Sequence, residues 1–169
     1  MKAYQVSYNE IYEQPNWVDY VVTDRPKNVD RGNMNFHLEE GVFTSSNSDY
    51  YANRWDKGHM APARTFSDSF DNLYATFSFV NCAMQVDSLN RKQWNYLEMQ
   101  EREWAKEYDS IQVKILLDFN ESFNPVASSV NIPIGFSKKL LFSDGSTLCY
   151  YFENEIPDKN YEAYATACD

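Results

Sequence analysis

Positive charge is in short supply in this sequence, and so are histidine and cysteine. Lysine and arginine number 15 against 25 aspartates and glutamates, a formal net charge of −10. That is the wrong balance for a typical nucleic-acid binder, whose affinity comes largely from neutralising phosphates. The cations are unevenly placed, however: Arg54, Lys57, Arg64, Arg91, Lys92, Arg102 and Lys106 gather in the central part, while the C-terminal third is mostly acidic. The three cysteines, Cys82, Cys149 and Cys168, contain no Cys-x-x-Cys pair and match no metal spacing. An odd number also excludes a complete disulfide framework; one bridge has room to form, and small buried residues are the expectation. No apolar run approaches the ~20 residues of a membrane-spanning helix, so no membrane partner is expected. Internal repeats and interdomain linkers are missing too, and Met1-Lys2-Ala3-Tyr4-Gln5 is patterned like a strand, not like a signal peptide.

What is present is the material of a full core. Apolar residues make up 43% and aromatic residues 17% of the 169 positions, enough for one domain over 1–169 that buries about 70% of its unfolded surface. Tyr4, Val6 and Tyr8 alternate with polar residues as a strand does, Pro15-Asn16 reads as a turn, and Trp17 to Thr23 as the second strand of a hairpin. Asp24 to Asn53 is rich in Asn, Asp, Gly and Ser and reads as an irregular surface loop; His37 lies in it and receives no catalytic role. A short helix at most is expected over Arg64 to Leu73, then a strand over Tyr74 to Val80. Asp87 and Ser88 suit the cap of a long helix from Leu89 to Tyr108. Ile111 to Phe119 and Ile132 to Phe142 read as strands, and Ser143 to Ser146 as the turn of a hairpin completed by Thr147 to Phe152.

The chemistry concentrates between Asp49 and Ala63, where Asp56-Lys57-Gly58-His59 sets an acid, a base, a glycine and a histidine side by side. Gly58 lets the backbone turn and Pro62 delays any helix, so a strand end that turns sharply and holds His59 forward is predicted. A cation beside the imidazole disfavours its protonation, and a neutral imidazole is what a general base must be. A second constellation runs from Asn81 through Gln85, Asn90, Trp94, Leu97 and Glu98 to Arg102. Taken alone, Asn90 could be a helix cap, Glu98 and Arg102 a solvated i,i+4 pair, Asn81 and Gln85 ordinary turn residues, and Trp94 and Leu97 core.

The two constellations together resemble the DNA/RNA non-specific endonucleases, sugar-non-specific nucleases with a ββα-metal site. Asp56, Gly58, His59, Met60, Ala61, Pro62 and Ala63 match that family's first signature, with Lys57 where arginine is usual, and Asn47, Asp49 and Tyr50 fit its approach segment. The second group matches the helix pattern, with Met84 in place of a proline. Tyr8, Trp17 to Tyr20, Ile132-Pro133 and Lys138-Lys139 extend the likeness along the chain.

The resemblance implies an α+β fold: a largely antiparallel twisted sheet, packed helices and a ββα-metal unit carrying the site. It implies a metal-dependent endonuclease of low sequence preference, acting on DNA and admitting RNA, that leaves 5′-phosphates. Mg²⁺, with Mn²⁺ as a substitute, would be held by Asn90. His59 would be the base, Glu98 would hold the metal's water shell, Arg102 would neutralise the transition-state phosphate, and Lys57 would complete the catalytic set. Asp56, Asn81 and Gln85 would support the site, the latter two by hydrogen bonds, while Arg54 and Arg64 would contact nucleic acid. A secreted or periplasmic setting is implied as well. The acidic charge and the Lys57 and Met84 departures keep a nucleic-acid or protein-binding module as the alternative, with hydrolysis of another phosphodiester as a third.

Overall fold

Every second residue from Ile111 to Asp118 is buried: Ile111, Val113, Ile115 and Leu117 face inward, while Gln112, Lys114, Leu116 and Asp118 face out. A period of two marks a strand with one face on a core. The structure, a computed structural model, describes residues 3–120 and 130–168, so Met1 and Lys2 of the expected first strand lie outside the described residues. Strands β1 (Tyr4–Asn9), β2 (Gln14–Val22), β5 (Ile111–Asp118), β6 (Gly135–Phe142), β7 (Thr147–Glu153) and β8 (Ala165–Thr166) form one antiparallel sheet in the order β1-β2-β5-β6-β7-β8. Two shorter strands, β3 (Trp55–His59) and β4 (Cys82–Val86), pair antiparallel with each other. Helix α1 (Phe70–Thr76) lies between them in the chain. After β4 comes one helical run: α2 (Asp87–Leu89), a π turn (Asn90–Trp94) and α3 (Asn95–Trp104). The α+β, largely antiparallel expectation holds, and β3, β4 and this run form the ββα unit.

The inner face of the sheet packs on that run. Trp94 is buried against Phe136 and Phe152, with ring centroids 5.4 and 5.5 Å away, and Leu97 is fully buried, both as core as expected. A second cluster of Phe36, Leu73, Phe77, Phe79 and Cys82 lies under the loop and α1.

Several local expectations fail for identifiable reasons. Pro15-Asn16 is not a turn but part of β2; the chain reverses just before it, where Glu13 takes a positive φ of 54°. The run Tyr74 to Val80 alternates like a strand, yet Ser69 caps α1 by accepting a hydrogen bond from Asn72 N, and the helix continues through Thr76. Tertiary burial of Phe77 and Phe79 then outweighs β-propensity, and the strand starts only at Cys82. The long helix starts two residues early, at Asp87, and ends four residues early, at Trp104. Strand β6 begins at Gly135, after Pro133. Cys82 is buried and free as expected, but Cys149 and Cys168 form a disulfide. Pairing of β8 with β7 puts Thr166 opposite Cys149 and so carries Cys168 within reach, at a Cα–Cα distance of 5.3 Å.

Strand β4 is wholly buried but, among the described residues, has a strand partner on one side only. Its other edge is satisfied by two side-chain amides. Gln14 Oε1 accepts from Met84 N at 2.8 Å, while Asn154 accepts from Val86 N at 2.9 Å and donates to Met84 O at 2.9 Å. Asn154 Nδ2 also donates to Pro133 O at 2.8 Å. Gln14 opens β2 and Asn154 follows β7, so these amides lock the small hairpin onto the large sheet. Replacing Asn154 by leucine keeps the volume but strands three buried backbone groups. At about 1–3 kcal/mol for each unsatisfied group, Asn154→Leu is expected to lower stability by roughly 3–9 kcal/mol in urea denaturation; a loss below about 1 kcal/mol would show that the edge is satisfied otherwise.

Candidate active site

His59 is the last residue of β3, and the chain beyond it is clamped. Asn81 Oδ1 accepts from Ala61 N at 2.8 Å, and its Nδ2 donates to Ala61 O and Thr76 O, each at 2.9 Å. The backbone oxygen of Asn81 also accepts from Met60 N at 3.0 Å. The imidazole is wedged between two phenyl rings, Phe36 at 4.6 Å and Phe77 at 4.7 Å between centroids. Its Nε2 is buried with no hydrogen-bond partner among the described residues. Burial, then the positive charges of Arg31 and Lys57, pushes the imidazole down to about 3, so it is neutral across the physiological range. Neutrality was expected from a neighbouring cation; burial is the larger cause, and Arg31 acts ahead of Lys57.

The pocket in front of it is lined by Arg31, Met34, Asn35, Phe36, Asp56, Lys57, His59, Asn90 and Arg91. Asp56 holds it together from below. Its carboxylate accepts from Arg91 Nε at 2.8 Å and Nη2 at 2.6 Å, and from Asn90 Nδ2 at 2.9 Å. A carboxylate can only accept, so the amide nitrogen of Asn90 must face it, and the amide oxygen is the end left for a ligand. Asn90 itself has helical angles (φ −55°, ψ −47°) and opens the π turn inside the helical run, so it is no cap. Lys57 donates to Asn47 Oδ1 at 2.7 Å and stands 5.6 Å from the Phe36 ring.

Of the residues singled out from sequence, His59, Lys57, Asp56 and Asn90 therefore meet in one pocket. Glu98 and Arg102 do not line it. Glu98 is only 9% exposed, so it is not half of a solvated pair. It sits by a buried network in which Glu101 and Lys138 approach to 2.6 Å and Tyr20 donates to Glu101 at 3.1 Å. The Lys138–Glu101 contact misses hydrogen-bond angles, so it is mainly charge on charge. Burial pushes the Glu98 carboxyl up to about 7, against the pull of the Lys138 ammonium. Arg102 has a buried Nη1 with no hydrogen-bond partner among the described residues. Arg54 is exposed over the Trp55 ring at 4.9 Å, and Arg64 is exposed on an adjoining depression.

Asn81 supports the site by hydrogen bonds as expected, but Gln85 does so by packing. Neither of its amide atoms finds a partner among the described residues. A Cβ on Gly58 would lie 2.6 Å from Gln85 Oε1 and 2.9 Å from Gln85 Cβ. Gly58 is thus needed for close approach within a strand and not for a turn. The region read as surface loop supplies four wall residues that the motifs did not reveal, Arg31, Met34, Asn35 and Phe36. Its length was the available signal, since long irregular loops are commonly functional. His37, in the same segment, stacks on Tyr74 at 4.1 Å and does not line the pocket.

Comparison with known sequences settles the relationship: residues 1–169, the whole chain, match the model of the DNA/RNA non-specific endonucleases. The chain belongs to that family. Nuclease C1 of Cunninghamella echinulata is 27% identical over 176 residues, covering 94% of this chain and 70% of that protein. The mitochondrial nuclease of Saccharomyces cerevisiae is 32% identical over 113 residues, 63% of this chain and 34% of that protein. Mouse mitochondrial nuclease EXOG is 29% identical over 113 residues, 64% of this chain and 31% of that protein. The match thus spans about a third of the length of these mitochondrial relatives. Among solved structures, the crystal structure of an EndoG/EndoGI complex superposes with a TM-score of 0.85 at 24% identity, over 99% of this chain and 81% of that one, a likeness of fold.

Nucleases of this family are metal-dependent, and the pocket's donors fit a hard cation. Among the described residues no group of three or more His, Cys, Asp or Glu is arranged as a metal cage. A single amide oxygen, fixed by Asp56, suits an ion that keeps most of its own waters.

The two perturbed groups pull stability in opposite directions with pH. His59 lies below its ordinary 6.5, so its contribution is present above 6.5 and is lost as pH falls toward 3. Glu98 lies above its ordinary 4.5, so its contribution is present below 4.5 and is lost as pH rises through 7. In metal-free protein the two slopes oppose each other between these ranges. Relative to wild type, Glu98→Gln is expected to gain stability as pH rises from 4.5 to 6.5, and His59→Ala to lose it, each by up to roughly 1.4 kcal/mol per pH unit. Urea denaturation across pH in EDTA measures both; parallel profiles for all three proteins would contradict the assignment.

Proposed function

We propose that this protein is a Mg²⁺-dependent endonuclease of low sequence preference that hydrolyses DNA, and RNA as a second substrate. The observation that carries this reading is the neutral imidazole of His59, free of hydrogen-bond partners at Nε2 among the described residues, in the wall of a pocket shared with the oriented amide of Asn90. His59 takes a proton from the water that attacks phosphorus, the bond to the 3′ oxygen breaks with its electron pair left on that oxygen, which takes a proton from water to become a 3′ hydroxyl, and a 5′-phosphate is left. An imidazole near pKa 3 is a weak base, but an incoming phosphate anion offsets the effect of Arg31 and Lys57 and strengthens it. Asn90 would hold the cation and Glu98 would accept a hydrogen bond from its water shell. When bound, the cation supplies positive charge at the phosphate oxygens and a more acidic water. Arg31 brings a guanidinium group to the phosphate and Lys57 adds a point charge held by Asn47, while Arg102, outside the pocket lining, would add its charge from the Lys27 and Arg64 side. Arg54 and Arg64 would contact the strand on either side. The Cys149–Cys168 disulfide favours an oxidising setting, secreted or periplasmic.

The direct test is degradation of plasmid DNA with Mg²⁺ and its protection by EDTA; binding without cleavage would favour the non-enzymatic module instead. His59→Ala is expected to slow cleavage by about 10²–10⁴-fold while His37→Ala changes it little. Equal losses would remove His59 from its role. Asn90→Ala should weaken Mg²⁺ dependence and activity while the melting temperature stays near that of wild type, and a variant that melts lower but cuts normally would mean that Asn90 holds no metal.

Salt dependence tests the charge balance. With few phosphate contacts, the slope of log affinity against log salt should be about −2 to −4 for duplex DNA. Lys57→Ala and Arg102→Ala should each flatten it by about one unit, measured with His59→Ala protein as the background. A steep slope insensitive to both would place the nucleic acid elsewhere.

A further inference from the structure

The pocket in front of His59 has a neighbour, and Arg31 stands on the wall of both. The second depression is lined by Val29, Ala63 and Leu73 together with Arg31, Arg64 and Ser67. Leu73 is buried and Val29 and Ala63 are half-buried against the Phe36–Phe77–Phe79 cluster, so the apolar residues make the floor. Arg31 and Arg64 are exposed, so the cations make the rim. The depression is built, not incidental: Asn28 N and Val29 N both donate to Ser67 O at 2.9 Å, sewing the loop to the turn after β3. Asp30 also lines it, but its Oδ1 accepts from Gly32 N at 2.9 Å and is engaged in its own loop.

Resting on the nuclease reading of the adjoining site, we propose that this depression is a nucleotide subsite beside the scissile phosphate. The apolar floor takes a nucleobase turned out of the stack, and Arg31 and Arg64 take the phosphate that joins it to the cleaved position. Continuity with the His59 pocket through Arg31 selects the occupant, and charge complementarity agrees. Burial, then Arg102 and Arg64, lowers the pKa of Lys27; Asp68, 3.8 Å from Arg25, opposes them, and Arg25 adds to the lowering. Lys27, Arg102, Arg64 and Arg25 thus share one nearby carboxylate in a chain whose net charge is −10, and this local excess of positive charge suits a polyanion. Single-stranded nucleic acid is the substrate class that fits, because its bases turn out without breaking a pair.

Binding of a short fluorescein-labelled oligothymidylate to His59→Ala protein with Mg²⁺, followed by anisotropy, tests the subsite without turnover. Replacing one nucleotide at a time by an abasic residue should weaken binding about tenfold at a single position and little elsewhere. Arg64→Ala should weaken binding about tenfold, Arg64→Lys less, and in Arg64→Ala the abasic penalty should largely vanish because the nucleotide is no longer seated. Arg64 is exposed, so circular dichroism should show both variants folded. A uniform abasic penalty, fully additive losses, or no binding at all would overturn the subsite. The nuclease reading falls separately, only if wild-type protein leaves plasmid DNA intact with Mg²⁺.

Discussion

A buried backbone polar group must find a partner, and strand β4 meets that demand in an unusual way. One edge pairs with β3; the other is closed by the side chains of Gln14 and Asn154, the latter standing in for a peptide unit. Everything in the candidate site hangs from this joint. With β4 fixed, β3 is in register, His59 lies opposite Cys82, and Asn81 just before the strand can clamp Ala61. The position of the imidazole thus depends on residues at the starts and ends of the large sheet, far from any motif.

Electrostatics gives the site a character the overall charge conceals. The chain is acidic, yet the pocket wall carries Arg31, Lys57 and Arg91, with only Asp56 against them, and Asp56 is engaged with Arg91 and Asn90. Two aromatic rings remove water from His59 while leaving its edge at the pocket. A bound cation would add to this local field, so a net charge of −10 does not oppose a phosphate at this point. The cost is an interior that holds ionisable groups, Glu98, Glu101 and Lys138, in a region that hydrophobic residues would fill more cheaply.

Much of this was legible in the residues. The alternation in β5 and the hairpin of β6 and β7 follow from a period of two and a Ser-Asp-Gly-Ser turn, and these elements lie where periodicity puts them except that β6 starts three residues late, at Gly135. The Asp56-to-Ala63 and Asn81-to-Arg102 patterns led to four of the pocket residues. What stayed hidden depends on contacts distant in sequence. Arg31 and Phe36 come from a segment with no periodicity, and only folding brings the Phe36 ring onto His59. Tyr74 to Val80 has the composition of a strand, but a serine cap upstream and burial downstream make it helix and turn. The disulfide needed the pairing of β7 with β8, which cysteine spacing alone does not report.

Gly58 and Gln85 have a consequence for how this site tolerates change. Each occupies room the other lacks: there is no space for a methyl group on one strand because the glutamine of the facing strand lies across it. The two positions are therefore epistatic. Shortening residue 85 removes the Oε1 contact but leaves its Cβ at 2.9 Å and Ala83 O at 3.1 Å, so alanine at 58 needs glycine at 85 or a shift of the facing strand, and a longer residue at 85 is compatible only with glycine at 58. Lineages that diverge here should move in pairs, and a library that varies the motif while freezing the opposite strand will sample mostly dead combinations. The unit of inheritance is the facing pair, not the four letters of the motif.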